Sequence, residues 1–208
     1  MTAPAGPSPP SEQEVRSVVE RVLAGVLEAA PDPGETHQPA PPTRPMEGGA
    51  GLRIAVGADH GGYPLKEKLA FKLKEAGHEV VDCGTDSHEP VDYPDFAHLV
   101  AVEVASGNCR YGIVVDGAGI GSAMVANKVP GVRAACCHDL SSARNSREHN
   151  HANVLTLGAG LIGDTLAWQI VEDWLAVPWG EGRHARRVAK ITAVEQQYSR
   201  IGMRQDRE

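Results

Sequence analysis

The segment that decides the fold is GIVVDGAGIG, residues 112–121, in which a short apolar run ends in an acidic residue and a glycine-rich loop. Residues 112–115 have the composition of a β-strand, and a helix is predicted after the loop at residues 122–128. Transitions of the same kind recur on both sides of this segment from Arg53 onward. This alternation is typical of a parallel sheet with helices on both faces.

The pattern extends outward to five strands and six helices. We expect strands at residues 54–56, 80–82, 112–115, 134–137 and 154–157. We expect helices at residues 65–76, 95–106, 122–128, 141–148, 165–175 and about 182–199. The chain is therefore predicted to be an α/β protein.

The first fifty residues differ from the rest, since they hold ten of the fifteen prolines. Apolar residues within residues 11–30 follow the spacing of one helix face: Val15, Val18, Val19, Val22, Leu23, Val26 and Leu27. Ser11 and Glu14 form a capping box, and Pro31 ends the helix. We predict a tail with an amphipathic helix at 1–30, a flexible linker at 31–50, a domain at 51–200 and a short tail at 201–208.

Composition excludes several classes of function. The 20 basic and 27 acidic residues give a net charge of -7, which argues against binding nucleic acid phosphates. There is no apolar stretch of the roughly 18 to 20 residues that a membrane span needs, and no signal peptide, so we expect a cytoplasmic protein. The four cysteines lack C-x-x-C spacing, and the nine histidines lack H-x-x-x-H spacing. Structural cysteines and no metal are the expectation.

Three polar junctions carry the candidate site. They are Asp59-His60-Gly61-Gly62, the loop at 116–121, and the segment from His138-Asp139 to a helix end at His149-Asn150. Ligands of parallel sheets bind beyond the carboxyl ends of the strands. Glycines in the loop let backbone N–H groups surround an anion. Each junction also has a structural interpretation, as a tight turn, a helix cap or a helix end.

A cationic cluster at the start of the last predicted helix consists of Arg183, His184, Arg186 and Arg187. Arginine binds phosphate through two parallel hydrogen bonds, so the cluster indicates a phosphate site in an otherwise acidic protein. A solvated helix face is the alternative interpretation.

Taken together, these stretches resemble the ribose-5-phosphate isomerase B and galactose-6-phosphate isomerase family over residues 52–200. The matching segments are Asp59–Gly62, Val91–Asp95, Gly117–Gly121, Ala126–Ala134, Arg147–Asn150, Ala152–Leu155, and Gly182–His184 with Arg187. The resemblance implies a three-layer α/β/α sandwich with a five-stranded, Rossmann-like parallel sheet. It also implies a homodimer, or a tetramer built from it, with active sites shared across the interface, and no metal or other cofactor.

The resemblance also implies roles for the matched residues. Asp59 and His60 would contact the sugar and its phosphate, and Tyr93 would line the pocket. His149 would assist ring opening with Asn150 beside it, and Arg183 and Arg187 would hold the phosphate. The loop residues Gly117, Ala118, Gly119 and Gly121 would bind the substrate, their N–H groups stabilising a developing oxyanion.

One departure from the family pattern lies in the loop. Members usually carry a cysteine base where this chain has Asp116, and a threonine where it has Ala118. A second branch has a glutamate base a few residues further along, where Ser122 and Ala123 offer no carboxylate. We therefore expect Asp116 to be the base, because a carboxylate can move a proton between adjacent carbons through an enediolate.

The expected reaction is ribose 5-phosphate to ribulose 5-phosphate. Another tetrose, pentose or hexose phosphate is the first alternative, because Ala118 lacks the threonine hydroxyl. A non-catalytic subunit that binds sugar phosphate is the second.

The helix at 11–30 on its proline-rich tether resembles the encapsulation peptides that direct enzymes into bacterial microcompartments. That resemblance implies a shell protein as partner through residues 11–30, and a place in the microcompartment lumen. The alternative is a helix that packs on its own domain or at the dimer interface.

Overall fold

The computed structural model of the protein describes residues 51–205. Five strands form one sheet in the order β2-β1-β3-β5-β4, and every neighbouring pair is parallel. They are β1 (Arg53–Ala58), β2 (Glu79–Asp82), β3 (Tyr111–Asp116), β4 (Ala134–Cys136) and β5 (Val154–Gly158). The predicted amphipathic helix at 11–30, the linker and residues 206–208 lie outside the described residues.

Within residues 51–205, six helices accompany the sheet. They are α1 (Tyr63–Glu75), α2 (Tyr93–Ala105), α3 (Ile120–Ala126), α4 (Leu140–Asn150), α5 (Asp164–Ala176) and α6 (Arg183–Gln205). Each strand and helix predicted within residues 51–205 is present, and the α/β prediction with a five-stranded parallel sheet is confirmed. The main difference is α6, which runs to Gln205 instead of ending near residue 199. In the part of the chain that the structure describes, no helix is long and apolar enough to cross a membrane.

The sheet is apolar on both faces, as a parallel sheet covered by helices must be. Ile113 and Val115 of β3 belong to a core that includes Leu69 of α1 and Trp174 of α5. The intervening Val114 belongs to a second core on the other face. That second core also contains Val100 and Val104 of α2. Two buried cores fix the sheet rigidly between its helices.

Helix α4 begins and ends at residues suited to its termini. The Asp139 carboxylate accepts a hydrogen bond from Ser142 N at 2.8 Å, which caps the first turn. This bond is the first cause of the lowered pKa of Asp139. His151 closes the helix in the left-handed region with a φ of 52°. The predicted helix end at His149-Asn150 is thereby confirmed.

A buried arginine anchors the end of α4. Arg147 is 2% exposed and donates to Trp174 O at 3.0 Å, Ala152 O at 2.7 Å and Tyr111 Oη at 2.6 Å. Burial lowers the pKa of Arg147, yet each of these contacts supplies an acceptor for its donors. The end of α4 is thus tied to both β3 and α5.

Candidate active site

Asp116 is the last residue of β3 and is 5% exposed. Its Oδ1 accepts hydrogen bonds from Ala118 N at 2.7 Å and from Gly119 N. Its Oδ2 accepts from Ser122 N at 3.2 Å and from Ser122 Oγ. The carboxylate therefore has four donors, all from the loop and the first turn of α3.

The loop has the form of an anion-binding turn, and the anion that it holds is the carboxylate of Asp116, at the start of the same loop. Gly119 has a φ of 77°, which only glycine adopts readily, and this turns the amides toward the carboxylate. The N–H groups of Ala118 and Gly119 were predicted to face a substrate oxyanion, but here they donate to Asp116. Sequence spacing identifies such a loop but does not reveal which anion it holds.

Tyr93 lies directly against this loop. A Cβ atom added to Gly121 would come within 2.6 Å of the Tyr93 ring, so the ring packs on the bare glycine backbone. Tyr93 is the first residue of α2 and is 39% exposed. Its ring forms one wall beside the loop, and its role in lining a substrate pocket stays a prediction.

Asp59 and His60 follow β1, the strand next to β3. Asp59 N donates to Val115 O at 3.3 Å, and Asp59 Oδ1 accepts from Gly62 N at 2.8 Å. His60 Nδ1 lies 3.2 Å from both the N and the O atoms of Val91. The pair therefore holds a turn and the chain before α2, and it stands beside Asp116.

Two further side chains meet the loop: His138, from the predicted polar junction after β4, and Cys136, which was predicted to be structural. His138 Nε2 lies 3.0 Å from Ala118 O, and Cys136 Sγ lies 3.6 Å from the same oxygen. Burial is the main cause of the raised pKa of Cys136, and its nearness to Asp116 contributes. For Cys136, the last residue of β4, the available signal was its place at a strand end, because every strand of a parallel sheet ends at this edge.

The remaining predicted residues form a second group around His149. The His149 and His184 rings stack with centroids 4.2 Å apart and planes 6° apart. Asn145 Nδ2 lies 2.8 Å from His149 Nδ1, and Glu148 Oε1 lies 3.7 Å from His149 Nε2. Asn150, exposed at the end of α4, lies beside Asn145 at 3.4 Å.

His184 is 9% exposed and holds an unsatisfied polar atom. Arg183 Nε donates to His184 Nε2 at 3.3 Å, so the neutral ring carries its proton on Nδ1. Among the described residues, Nδ1 has no hydrogen-bond partner. Desolvation, then His149 and Arg183, lower the pKa of His184. A buried N–H group without an acceptor, next to exposed arginines at 183 and 187, suits an incoming anion.

The two groups lie at opposite edges of the sheet. The strands end at the edge that holds Asp116, which we call the carboxyl edge. Helix α4 carries the chain back to the opposite edge, the amino edge, where β5 begins. Its 11 residues span about 16 Å. Gly180, just before α6, donates to Glu148 O at 2.9 Å, which places the start of α6 beside the end of α4. One chain therefore does not bring Asp116 together with His149, Arg183 and Arg187.

A cleft of about 600 Å³ lies along α4 and β4. Its lining includes Cys136 at the loop end and Asn145 and Asn150 at the other. It is polar, with Asp139 and Ser142 at its wall.

Glu148, His149 and His184 form a group with the composition of a metal site. Their candidate ligand atoms lie within 4.8 Å of one another, although sequence spacing had indicated no metal. The stacked rings aim their nitrogen lone pairs along nearly parallel planes, which does not suit convergence on one ion. The Arg183 guanidinium beside His184 also repels a cation. The geometry favours an anion here.

Comparison with known proteins identifies the family to which this fold and sequence belong. Residues 54–191 match the Ribose/Galactose Isomerase family. The chain belongs to this family. Ribose-5-phosphate isomerase B of Escherichia coli (strain K12) is 46% identical over 144 residues, which are 69% of this chain and 97% of that protein. The family match makes the chain a sugar isomerase by class, and residues 1–53 lie outside it.

Solved structures of ribose-5-phosphate isomerase B are similar to this chain in fold as well as in sequence. The Clostridium thermocellum protein has 52% sequence identity and a TM-score of 0.70, with 71% of this chain and 99% of that chain covered. The Mycoplasma genitalium protein, with bound ribulose-5-phosphate, has 38% identity and a TM-score of 0.68, with 71% and 99% covered. The isomerase domain of this chain thus spans nearly the whole length of these relatives.

Proposed function

We propose that the protein interconverts ribose 5-phosphate and ribulose 5-phosphate. The observation that carries the proposal is the family match over residues 54–191, together with relatives named ribose-5-phosphate isomerase B. The buried carboxylate of Asp116 at the carboxyl edge of the sheet supports an acid-base reaction at that edge.

In the proposed mechanism, Asp116 removes a proton from C2 of the open-chain aldose and returns it to C1. The intermediate is an enediolate, whose oxyanion is stabilised by the loop N–H groups that do not donate to Asp116, those of Gly117 and Gly121. His149 assists ring opening, and Asn150 lies beside it. The hydroxyl proton of O2 passes to O1 as the carbonyl moves from C1 to C2. Both changes are proton transfers within one carbon skeleton, so no step requires a metal or a nucleotide.

Substrate binding divides between the two edges. Asp59, His60 and Tyr93 would contact the sugar, because they stand around the Asp116 loop. Arg183 and Arg187 would hold the phosphate, with the unpaired Nδ1–H of His184 as a further donor.

A homodimer with shared sites follows from this division. Because one chain separates Asp116 from His149, a complete site requires the amino edge of one subunit to face the carboxyl edge of the other. Exposed apolar side chains support a second copy as partner: Leu99, Val102, Ile120, Met124, Ile191, Val194 and Tyr198.

A panel assay tests the reaction and its substrate. Purified protein is incubated with tetrose, pentose and hexose aldose phosphates, without added metal or nucleotide, and ketose formation is measured. We expect the highest kcat/KM with ribose 5-phosphate. A clear preference for a shorter or longer aldose phosphate would show that the substrate is a different sugar phosphate. The missing threonine hydroxyl at Ala118 would then be a candidate cause.

The second candidate function is binding without turnover. The full pairing of the Asp116 carboxylate favours it, because a carboxylate with four donors already resembles a structural cap. Binding of a sugar phosphate measured by calorimetry, with no ketose formed from any panel member, would establish this function instead.

For residues 11–30 we propose a role in encapsulation, through docking on a microcompartment shell protein. The support is the apolar stripe of the sequence and its proline-rich tether. Residues 1–45 fused to a fluorescent protein should concentrate in shells, and the same fusion with Val18, Val22 and Leu27 changed to Glu should not. Diffuse fluorescence from the unmutated fusion, despite assembled shells, would contradict the proposal.

A further inference from the structure

Ser122 is a fully buried hydroxyl residue in the first turn of α3. Both its backbone N and its Oγ donate to Asp116 Oδ2. The other carboxylate oxygen, Oδ1, is held by Ala118 N and Gly119 N. Ser122 thus supplies half of the donors that surround the proposed base.

The number of donors sets a limit on catalysis. A carboxylate offers about four lone-pair sites, two on each oxygen, and four donors occupy them here. A base must aim a free lone pair at the proton that it removes. As the loop stands, Asp116 has none to offer, so one donor must leave before proton transfer.

Only one of the four donors can leave without moving the main chain. The N–H groups of Ala118 and Gly119 are fixed by the turn, and that of Ser122 by α3. The Ser122 hydroxyl rotates about a single bond, and a helical serine hydroxyl commonly donates to a carbonyl one turn earlier. For Ser122 that carbonyl is Gly119 O, the first carbonyl of the helix, which also accepts from Ala123 N and Thr156 Oγ1.

We infer that Ser122 is a positioning residue for Asp116, whose hydroxyl occupies Oδ2 in the resting protein and turns away to free that oxygen for the substrate. The inference rests on the proposed function, with Asp116 as the base. In the reaction cycle Oδ2 takes the proton from one substrate carbon and returns it to the next. The serine exchanges no atom with the substrate.

The structure offers a matched control in Thr156. Its hydroxyl is also fully buried and donates to Gly119 O at 2.7 Å, so it supports the same loop. No hydrogen bond links it to Asp116. A purely structural contribution of a buried hydroxyl should therefore appear equally in Thr156→Val and in Ser122→Ala.

The test compares pH–rate profiles of wild type, Ser122→Ala and Thr156→Val. Titratable side chains on the elements around the loop include Asp59, Tyr93, Cys136 and His138, and both variants keep all four. Removing a hydrogen-bond donor from a carboxylate favours the protonated form relative to the charged form. We expect the acid limb of the kcat profile of Ser122→Ala to move up by about 0.5 to 1 pH unit.

The remaining kinetic parameters sharpen the test. Ser122→Ala should keep kcat at neutral pH within a few-fold of wild type, since three donors still orient Asp116, and KM should hold within about twofold. Thr156→Val should lower kcat or thermal stability without moving the acid limb. An unmoved acid limb in Ser122→Ala, or an equal movement of the acid limb in Thr156→Val, would overturn the inference.

A second readout separates this inference from the proposed function. With ¹³C-labelled aspartate, the carboxyl signal of residue 116, assigned from Asp116→Asn, is titrated in wild type and in Ser122→Ala. An upward shift of its midpoint in the variant supports the inference, and identical midpoints overturn it. If the wild-type protein is inactive on the whole substrate panel, the proposed function is overturned. The hydrogen bond between Ser122 and Asp116 then has no role in catalysis.

Discussion

The two edges of the sheet carry the two halves of the predicted site, and they differ in how far their polar groups are satisfied. At the carboxyl edge, Asp116 is buried and accepts four hydrogen bonds from its own loop. At the amino edge, His184 Nδ1 is buried without a partner in the described part of the chain, and Arg183 and Arg187 are exposed. The first edge is complete within one chain, whereas the second is suited to groups from outside it.

This difference agrees with the two tasks of a sugar-phosphate isomerase. A base benefits from a fixed position in a site that excludes water. A phosphate site needs donors that stay available until the ligand arrives. The carboxyl edge therefore suits proton transfer, and the amino edge suits phosphate binding.

The largest effect is expected from Asp116→Asn. The amide keeps the shape but loses the basicity, so kcat should fall by at least about 100-fold with a modest change in KM. Asp139→Asn is the matched control, because asparagine also caps a helix well, and it should stay within a few-fold of wild type. Steady-state kinetics check both variants. Near-normal activity of Asp116→Asn would show that Asp116, at the carboxyl edge, is not the catalytic base.

The next effect concerns stability at the amino edge. Arg147→Met leaves Tyr111 Oη and two buried carbonyl oxygens without their donor, which should cost about 2 to 4 kcal/mol in the free energy of unfolding. The control is Arg144→Met, which removes an ion pair between the exposed Arg144 and the partly exposed Asp173 and should cost much less. Denaturant unfolding measures both. Equal losses would show that burial does not distinguish these arginines.

Phosphate binding should weaken in Arg183→Ala and in Arg187→Ala. Loss of one charge-assisted contact costs about 1.5 to 3 kcal/mol, equivalent to about 10- to 150-fold in the inhibition constant of a phosphorylated sugar acid. Arg186→Ala removes the same charge from the same helix and should change the inhibition constant less. Unchanged inhibition in both variants would place the phosphate elsewhere.

The smallest effect is a pH dependence of stability. The pKa of His184 is lowered in the folded protein, so between that pKa and about 6.5 the unfolded chain binds the extra proton. Stability from this group is present above about pH 6.5 and is lost as pH falls through the folded pKa. His184→Asn should reduce the drop in Tm between pH 7.5 and 5.5, whereas the exposed control His98→Asn should not. Equal drops in all three proteins would contradict this.

Sequence periodicity predicted the order and type of the described elements because each strand is a short apolar run and each helix repeats its apolar residues every three or four positions. The junction at Asp116 was predicted for the same reason. The pairing of Asp116 with its own loop was not, since hydrogen-bond direction depends on the backbone dihedrals of Gly119 and its neighbours. The stacking of His149 on His184 was also missed, because those residues are 35 positions apart in the sequence.

The most direct test of a site shared between the two edges is subunit mixing. Asp116→Asn and His149→Ala proteins, each inactive alone, are unfolded, mixed in equal amounts and refolded together. In a mixed dimer, one site receives both substitutions and the other receives neither, so about a quarter of the wild-type activity should return. Activity no greater than the sum of the two separate variants, with mixed dimers shown to be present, would contradict the account.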